Sequence, residues 1–104
     1  MRFSTLIAIL LAATATVFAG APEGKEVFAK KCVACHGAQG QGNPAIAKMM
    51  KVTMKHLGSK EVQAKSDADI NKIVTGGEGK MKPVAGLSAD QIKDVIAYVR
   101  TLRE

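Results

Sequence analysis

The chain has 104 residues, a formal net charge of +6, no tryptophan, one tyrosine and three phenylalanines. That length allows one domain at most, and so few aromatic side chains leave it short of the material that fills small cores. Fifteen Lys and Arg against nine Asp and Glu suit an acidic protein partner or an anionic surface; with no arginine-rich run and hardly a ring on which bases could stack, nucleic acid is not the expected partner.

The first 19 residues are expected to be removed. Arg2 supplies a positive start, residues 6–17 form an apolar run, and Val17-Phe18-Ala19 offers a cleavage site before Gly20, the pattern of a secretory signal peptide. A membrane-spanning helix wants about 18 or more unbroken apolar residues with flanking anchors; an uncleaved anchor is the alternative. No cysteine stands directly after the run, where Phe18-Ala19-Gly20 follow, so a lipid anchor is unsupported. The expected division is a signal peptide at 1–19 and one domain at 20–104. Cleavage takes away Arg2 and no acidic residue, which leaves 85 residues at +5. Chains this short bury only about 60% of their unfolded surface, so their cores are marginal.

Residues 22–31 read as a first helix. Pro22 and Glu23 suit its first turn, Val27, Phe28 and Lys31 recur at helical spacing, and Gly24 and Phe28 share a face. The helix runs into Cys32-Val33-Ala34-Cys35-His36, which holds both cysteines of the chain. Continued helix puts Cys32, Cys35 and His36 on one narrow face, two thiols and one imidazole pointing the same way. C-x-x-C-H is the attachment signal for c-type haem, in which the sulfurs bond the porphyrin and the imidazole ligates iron. A thioredoxin-like redox pair wants a βαβ context that no strand-like alternation provides here. A structural zinc site needs four ligands, and the remaining supply is one distant histidine and acidic side chains. A disulfide between cysteines three apart closes too short a loop to stabilise much.

On these residues the chain resembles the cytochromes c. The resemblance implies one covalent haem c bonded as thioethers through Cys32 and Cys35, with His36 on the iron. It also implies attachment outside the cytoplasmic membrane, in keeping with the signal peptide, and packing of Gly24 and Phe28 against the last helix. The haem would supply the core that the composition lacks.

After His36, Gly37, Gly40, Gly42 and Asn43-Pro44 break the helix and enforce a loop. In the resembled family a proline carbonyl after the motif accepts the second ring N–H of the ligating histidine, and Pro44 is the proline placed to do so. Starting the next helix is a sufficient alternative task for it. Residues 45–54 are expected to form a short helix with Ile46, Met49, Met50 and Met54 near one face, and 56–65 to be irregular apart from one helical turn. At 66–75, Ser66 caps, Asp67 and Asp69 suit the positive end, Ile70, Ile73 and Val74 form a stripe, and Gly76-Gly77 stops the helix. An exposed turn follows at 78–83. The last helix opens on a capping box, Ser88 with Gln91, and continues through Ile92, Val95, Ile96, Val99 and Leu102, with Arg100 and Arg103 at its negative end and Tyr98 beside the stripe.

Met81 stands in that exposed turn, an unusual place for a core-filling methionine. Gly79-Lys80-Met81-Lys82-Pro83 looks like the distal-ligand loop of small class I cytochromes c, where G-K-M-P is common, with Lys82 inserted between Met and Pro. The resemblance therefore implies Met81 as the second axial ligand, ahead of Met49, Met50, Met54 and His56. It also implies an all-α class I cytochrome c fold of about four short helices wrapped around one haem. The expected function is that of an exported, monomeric, periplasmic monohaem protein, not an enzyme, carrying single electrons between redox protein partners. Lys30, Lys31, Lys80 and Lys82 would ring the haem edge and meet acidic docking surfaces, and no stable membrane insertion is expected once the signal is cleaved. The alternatives are a haem sensor or haem enzyme with a displaceable sixth ligand, and a subunit of a membrane respiratory complex.

Overall fold

The computed structural model describes residues 19–104; the expected signal peptide lies almost wholly outside them. Six helical elements follow in order: α1 (Ala21–Lys31), α2 (Val33–His36), α3 (Pro44–Met50), α4 (Lys60–Gln63), α5 (Asp67–Gly76) and α6 (Ala89–Val99). Two of them are single turns, so the expectation of about four short helices holds for the longer ones. Among the described residues there is no named strand, and one isolated bridge joins Glu78 to Met81. No described helix is long and apolar enough to cross a membrane.

Local sequence accounts for the helix starts. Asn43, Ser59, Ser66 and Ser88 each accept a backbone N–H from the first turn that they precede, which satisfies donors no helix can pair internally. The Ser88–Gln91 capping box is complete. The expectation for 45–54 needs correction. That helix begins at Pro44 and stops at Met50, because Lys51 turns into the left-handed region (φ 55°) and Val52 N–H returns to the Ala47 carbonyl. Met54 therefore lies beyond it.

The first and last long helices pair. A Cβ on Gly24 would fall on the Asp94 carbonyl, so only glycine permits the approach. Beside this crossing Phe28, 2% exposed, packs with Val95, Val99 and Leu102. Its ring lies 5.2 Å from that of Tyr98, tilted by 58°, an arrangement favourable to aromatic quadrupoles. A second cluster joins Ile70 of α5 to Ile92 and Ile96 of α6, flanked by Val74 and Leu87. Arg100 fastens the α4–α5 connection to the end of α6. Its guanidinium donates to the carbonyls of Gln63 (3.0 Å) and Lys65 (2.6 Å) and to the Asp67 carboxylate (2.7 and 3.0 Å).

The core is lopsided. Every fully buried apolar side chain described belongs to α1, α4, α5 or α6 or is Leu102 just beyond. Residues 29–61 contribute none, and Ile46, Met50, Val52, Met54, Ile73, Val74, Met81 and Val84 are left half-covered.

Candidate haem site

α1 delivers the chain directly to the motif. Cys32 N–H donates to the Phe28 carbonyl (2.9 Å), and the Cys32 carbonyl accepts from Cys35 (3.3 Å) and His36 (2.9 Å). One helical path thus carries both thiols and the imidazole. Gly37 stops it at φ 78°, and the loop then folds back onto the turn it has just left. Gly37 N–H donates to Val33 O (2.9 Å), Gly42 N–H to His36 O (2.6 Å) and Asn43 N–H to Cys35 O (2.9 Å), while Asn43 Nδ2 donates to Ala34 O (3.1 Å). All four carbonyls of α2 are occupied, so the loop satisfies the end of the motif turn that its own helix leaves unpaired.

Gly40, at φ 77°, is buried where a Cβ would meet Leu57 and Leu102 at 2.8 and 2.9 Å. Its carbonyl accepts from Leu57 N–H (2.9 Å), which ties the glycine loop to the hydrophobic core. Asn43 is the residue that sequence reasoning passed over. Its Oδ1 accepts from Ala45 and Ile46 at the start of α3 (3.1 and 3.3 Å), so a single amide joins the end of α2 to the start of α3. The Asn-Pro pair at the head of a helix signals the cap; the bond to Ala34 is non-local and has no local signal.

The chemistry of the donors fits haem better than the rivals. Both cysteines are free, and burial, with the Cys35 thiol adding to it, pushes the Cys32 thiol up to about 11. A redox C-x-x-C pair needs the opposite, a thiol readily ionised near neutrality. Burial lowers the pKa of His36, which favours the neutral imidazole that ligates metals. Its Nδ1 is buried without a hydrogen-bond partner, from Pro44 or any other residue, and Pro44 itself is exposed as the first residue of α3. Among the described residues no three His, Cys, Asp or Glu side chains gather to hold a metal ion, so iron here needs a group that brings most of its own ligands. A flat apolar group would also cover the half-buried side chains that the core leaves over.

The other expected residues separate. His56 Nδ1 accepts from Gly58 N–H (2.9 Å), the task of a turn histidine. Met49 is 71% exposed. Met81, half-buried, closes a tight turn in which Glu78 and Met81 exchange backbone hydrogen bonds of 3.0 and 2.9 Å.

Comparison with known proteins identifies the family. Residues 21–103 match the family model Cytochrome c. The chain is 34% identical over 90 residues to the cbb3-type cytochrome c oxidase subunit FixP of Azorhizobium caulinodans, a match that covers 79% of this chain and 27% of that subunit. It is 33% identical over 88 residues to cytochrome c-554(547) of Halothiobacillus neapolitanus, covering 80% of this chain and 97% of that protein. The fold is similar to that of the KustC0563 c-type cytochrome, with a TM-score of 0.67 at 23% identity over 78% of this chain and 98% of that one. The chain therefore belongs to the cytochrome c family: it is a small class I, monohaem member that holds haem c covalently and carries electrons with redox protein partners.

Proposed function

We propose that the protein is an exported, monomeric carrier of single electrons in the periplasm, with His36 and Met81 as the two axial ligands of its iron. What supports the ligand reading is the position of Met81: half-buried in a turn closed by its own backbone and outside both buried apolar clusters. The haem supplies the redox change. The thioether of Met81 is a soft, neutral donor that would favour ferrous iron and raise the potential, and with His36 and Met81 both holding the iron little would have to rearrange on reduction. His36 presents the neutral nitrogen. Pro44 is the candidate acceptor for its other ring N–H, through the lone pair that a helical carbonyl has to spare. Arg2 and the apolar run behind it support export.

Lys30, Lys31, Lys80 and Lys82 are exposed and would attract partners with acidic docking surfaces. The likeness to part of FixP favours a second reading, a module of a respiratory complex. Co-purification with larger chains, or an intact N-terminus in native material, would support it.

The test combines the mass and optical spectra of the native protein with carbon monoxide. The expected mass is that of residues 20–104 plus one haem, and the reduced protein is expected to bind no carbon monoxide. Met81→Ala should bind it promptly and show a lower potential, whereas Met50→Ala should lose packing stability only. Prompt binding by the unaltered protein would mean an open or displaceable sixth position and a sensor or enzyme instead of a carrier.

A further inference from the structure

Helices α3, α4, α5 and α6 each begin on a side-chain oxygen, whereas α1 begins on Gly20 with none. What stands at that end comes from the last helix. Asp94 lies on α6 where the two helices cross, and a Cβ on Gly20 would fall on its carboxylate, 3.1 Å from Cγ and 3.4 Å from Cα. One carboxylate oxygen therefore sits against the Gly20 backbone. Among the described residues this half-buried carboxylate forms no ion pair.

Gly20 is also the residue that cleavage after Ala19 makes the first of the chain. In the uncut chain its nitrogen is an amide with a single N–H in a fixed direction. After cleavage it is an ammonium, one bond from the Cα beside Asp94, with three donors that turn freely about that bond. Positive charge at the start of a helix is unfavourable by itself. Here it would face Asp94 from α6 and Glu23 from the first turn of α1. Glu26 follows along the same groove, and Lys30 and Lys31 lie a turn or more beyond it.

We propose that the amine released at Gly20 pairs with the Asp94 carboxylate, so that removal of the signal peptide fastens the start of α1 to α6 through a contact the precursor cannot make. The inference rests on the reading of residues 1–19 as a signal peptide cut after Ala19. A paired amine holds its proton more tightly than a free α-amine. The stabilisation is therefore present below the ordinary α-amine range and is lost as pH rises through the raised one; it is lost again in acid, once Asp94 takes up a proton.

An acylating reagent at neutral pH tests it, since only the unprotonated amine reacts and the mass of the N-terminal peptide reports the rate at Gly20 in the exported holoprotein. Asp94→Asn should be acylated there roughly 2- to 5-fold faster, the range of a partly exposed ion pair. Asp69→Asn, which removes the same charge from the exposed face of α5, should match the unaltered protein. In a holoprotein that keeps Ala19 as its first residue, the amine stands one residue away from Asp94, and Asp94→Asn should leave both the rate and the urea midpoint unchanged. If Asp94→Asn is acylated no faster than Asp69→Asn, or if it speeds the form that starts at Ala19 equally, the pair does not exist. If the mass of the native protein shows a first residue other than Gly20, the cleavage reading fails and the pair with it.

Discussion

Asn43 shows how much of the site's geometry can depend on one neutral side chain. Its oxygen caps α3 and its nitrogen holds the Ala34 carbonyl of the motif turn, two tasks that substitution can separate. Asn43→Ala should cost about 2 kcal/mol in chemical denaturation of the holoprotein, about half from the lost cap and half from the lost bond to Ala34. Asn43→Asp keeps a capping oxygen but sets a carboxylate against a carbonyl, so it should recover the first part only. Equal losses in the two variants would show that the bond to Ala34 alone matters. The half of this arrangement that follows chain order is legible from sequence, because a capping residue before a proline is a local pattern. The other half is a contact between residues nine apart across a glycine loop, and no periodicity encodes it. Cys32, Cys35 and His36 are legible for the opposite reason: their chemistry is compressed into five consecutive positions.

Among the elements, α6 starts at the cap the sequence marks and carries the expected stripe from Ile92 to Val99, but it ends there, with Arg100 as its C-cap and Leu102 and Arg103 beyond it. α3 comes out shorter than its composition suggests, since a left-handed Lys51 ends it where no glycine or proline marks the stop. α4 is one turn behind Ser59, too short for a helical period to show. The pairing of α1 with α6 hinges on a missing side chain. Gly24→Ala would press a methyl group into the Asp94 carbonyl and should cost about 1–3 kcal/mol as an overpacked contact, read as a lower melting temperature with an unchanged optical spectrum. Arg100 makes a second prediction at this scale. A lysine cannot serve two carbonyls and a carboxylate from one planar fork, so Arg100→Lys should lose about 1–2 kcal/mol. Asp67→Asn, at a side chain 73% exposed, should change stability by under about 1 kcal/mol. A larger effect at Asp67 would mean that the ion pair, not the two carbonyl bonds, fastens the α4–α5 connection.

Taken as a whole, the molecule fully buries apolar side chains of α1, α4, α5 and α6, whereas residues 29–61 add only half-covered ones such as Cys32, Val33 and Leu57. A chain altered at both Cys32 and Cys35 to alanine should therefore keep the α1–α6 pair but lose helical circular dichroism from the α2–α3 region, and melt at a lower temperature than the holoprotein. With a formal net charge of +5 over residues 20–104, electron transfer to an acidic partner should slow as salt is raised through about 0.1 M, where the screening length falls to about 10 Å; rates indifferent to salt would remove the lysine docking surface. The family and its cofactor are legible in the motif, but the lopsided core is not, because composition counts apolar residues without saying which find a neighbour. The crossing of α1 and α6 carries a further consequence. These helices lie far apart in the chain, so their pairing closes a long loop whose entropy is met before the contact rewards it. Phe28 has no buried partners until α6 and Leu102 arrive, so a fragment that stops short of α6 should fail to assemble this half of the core.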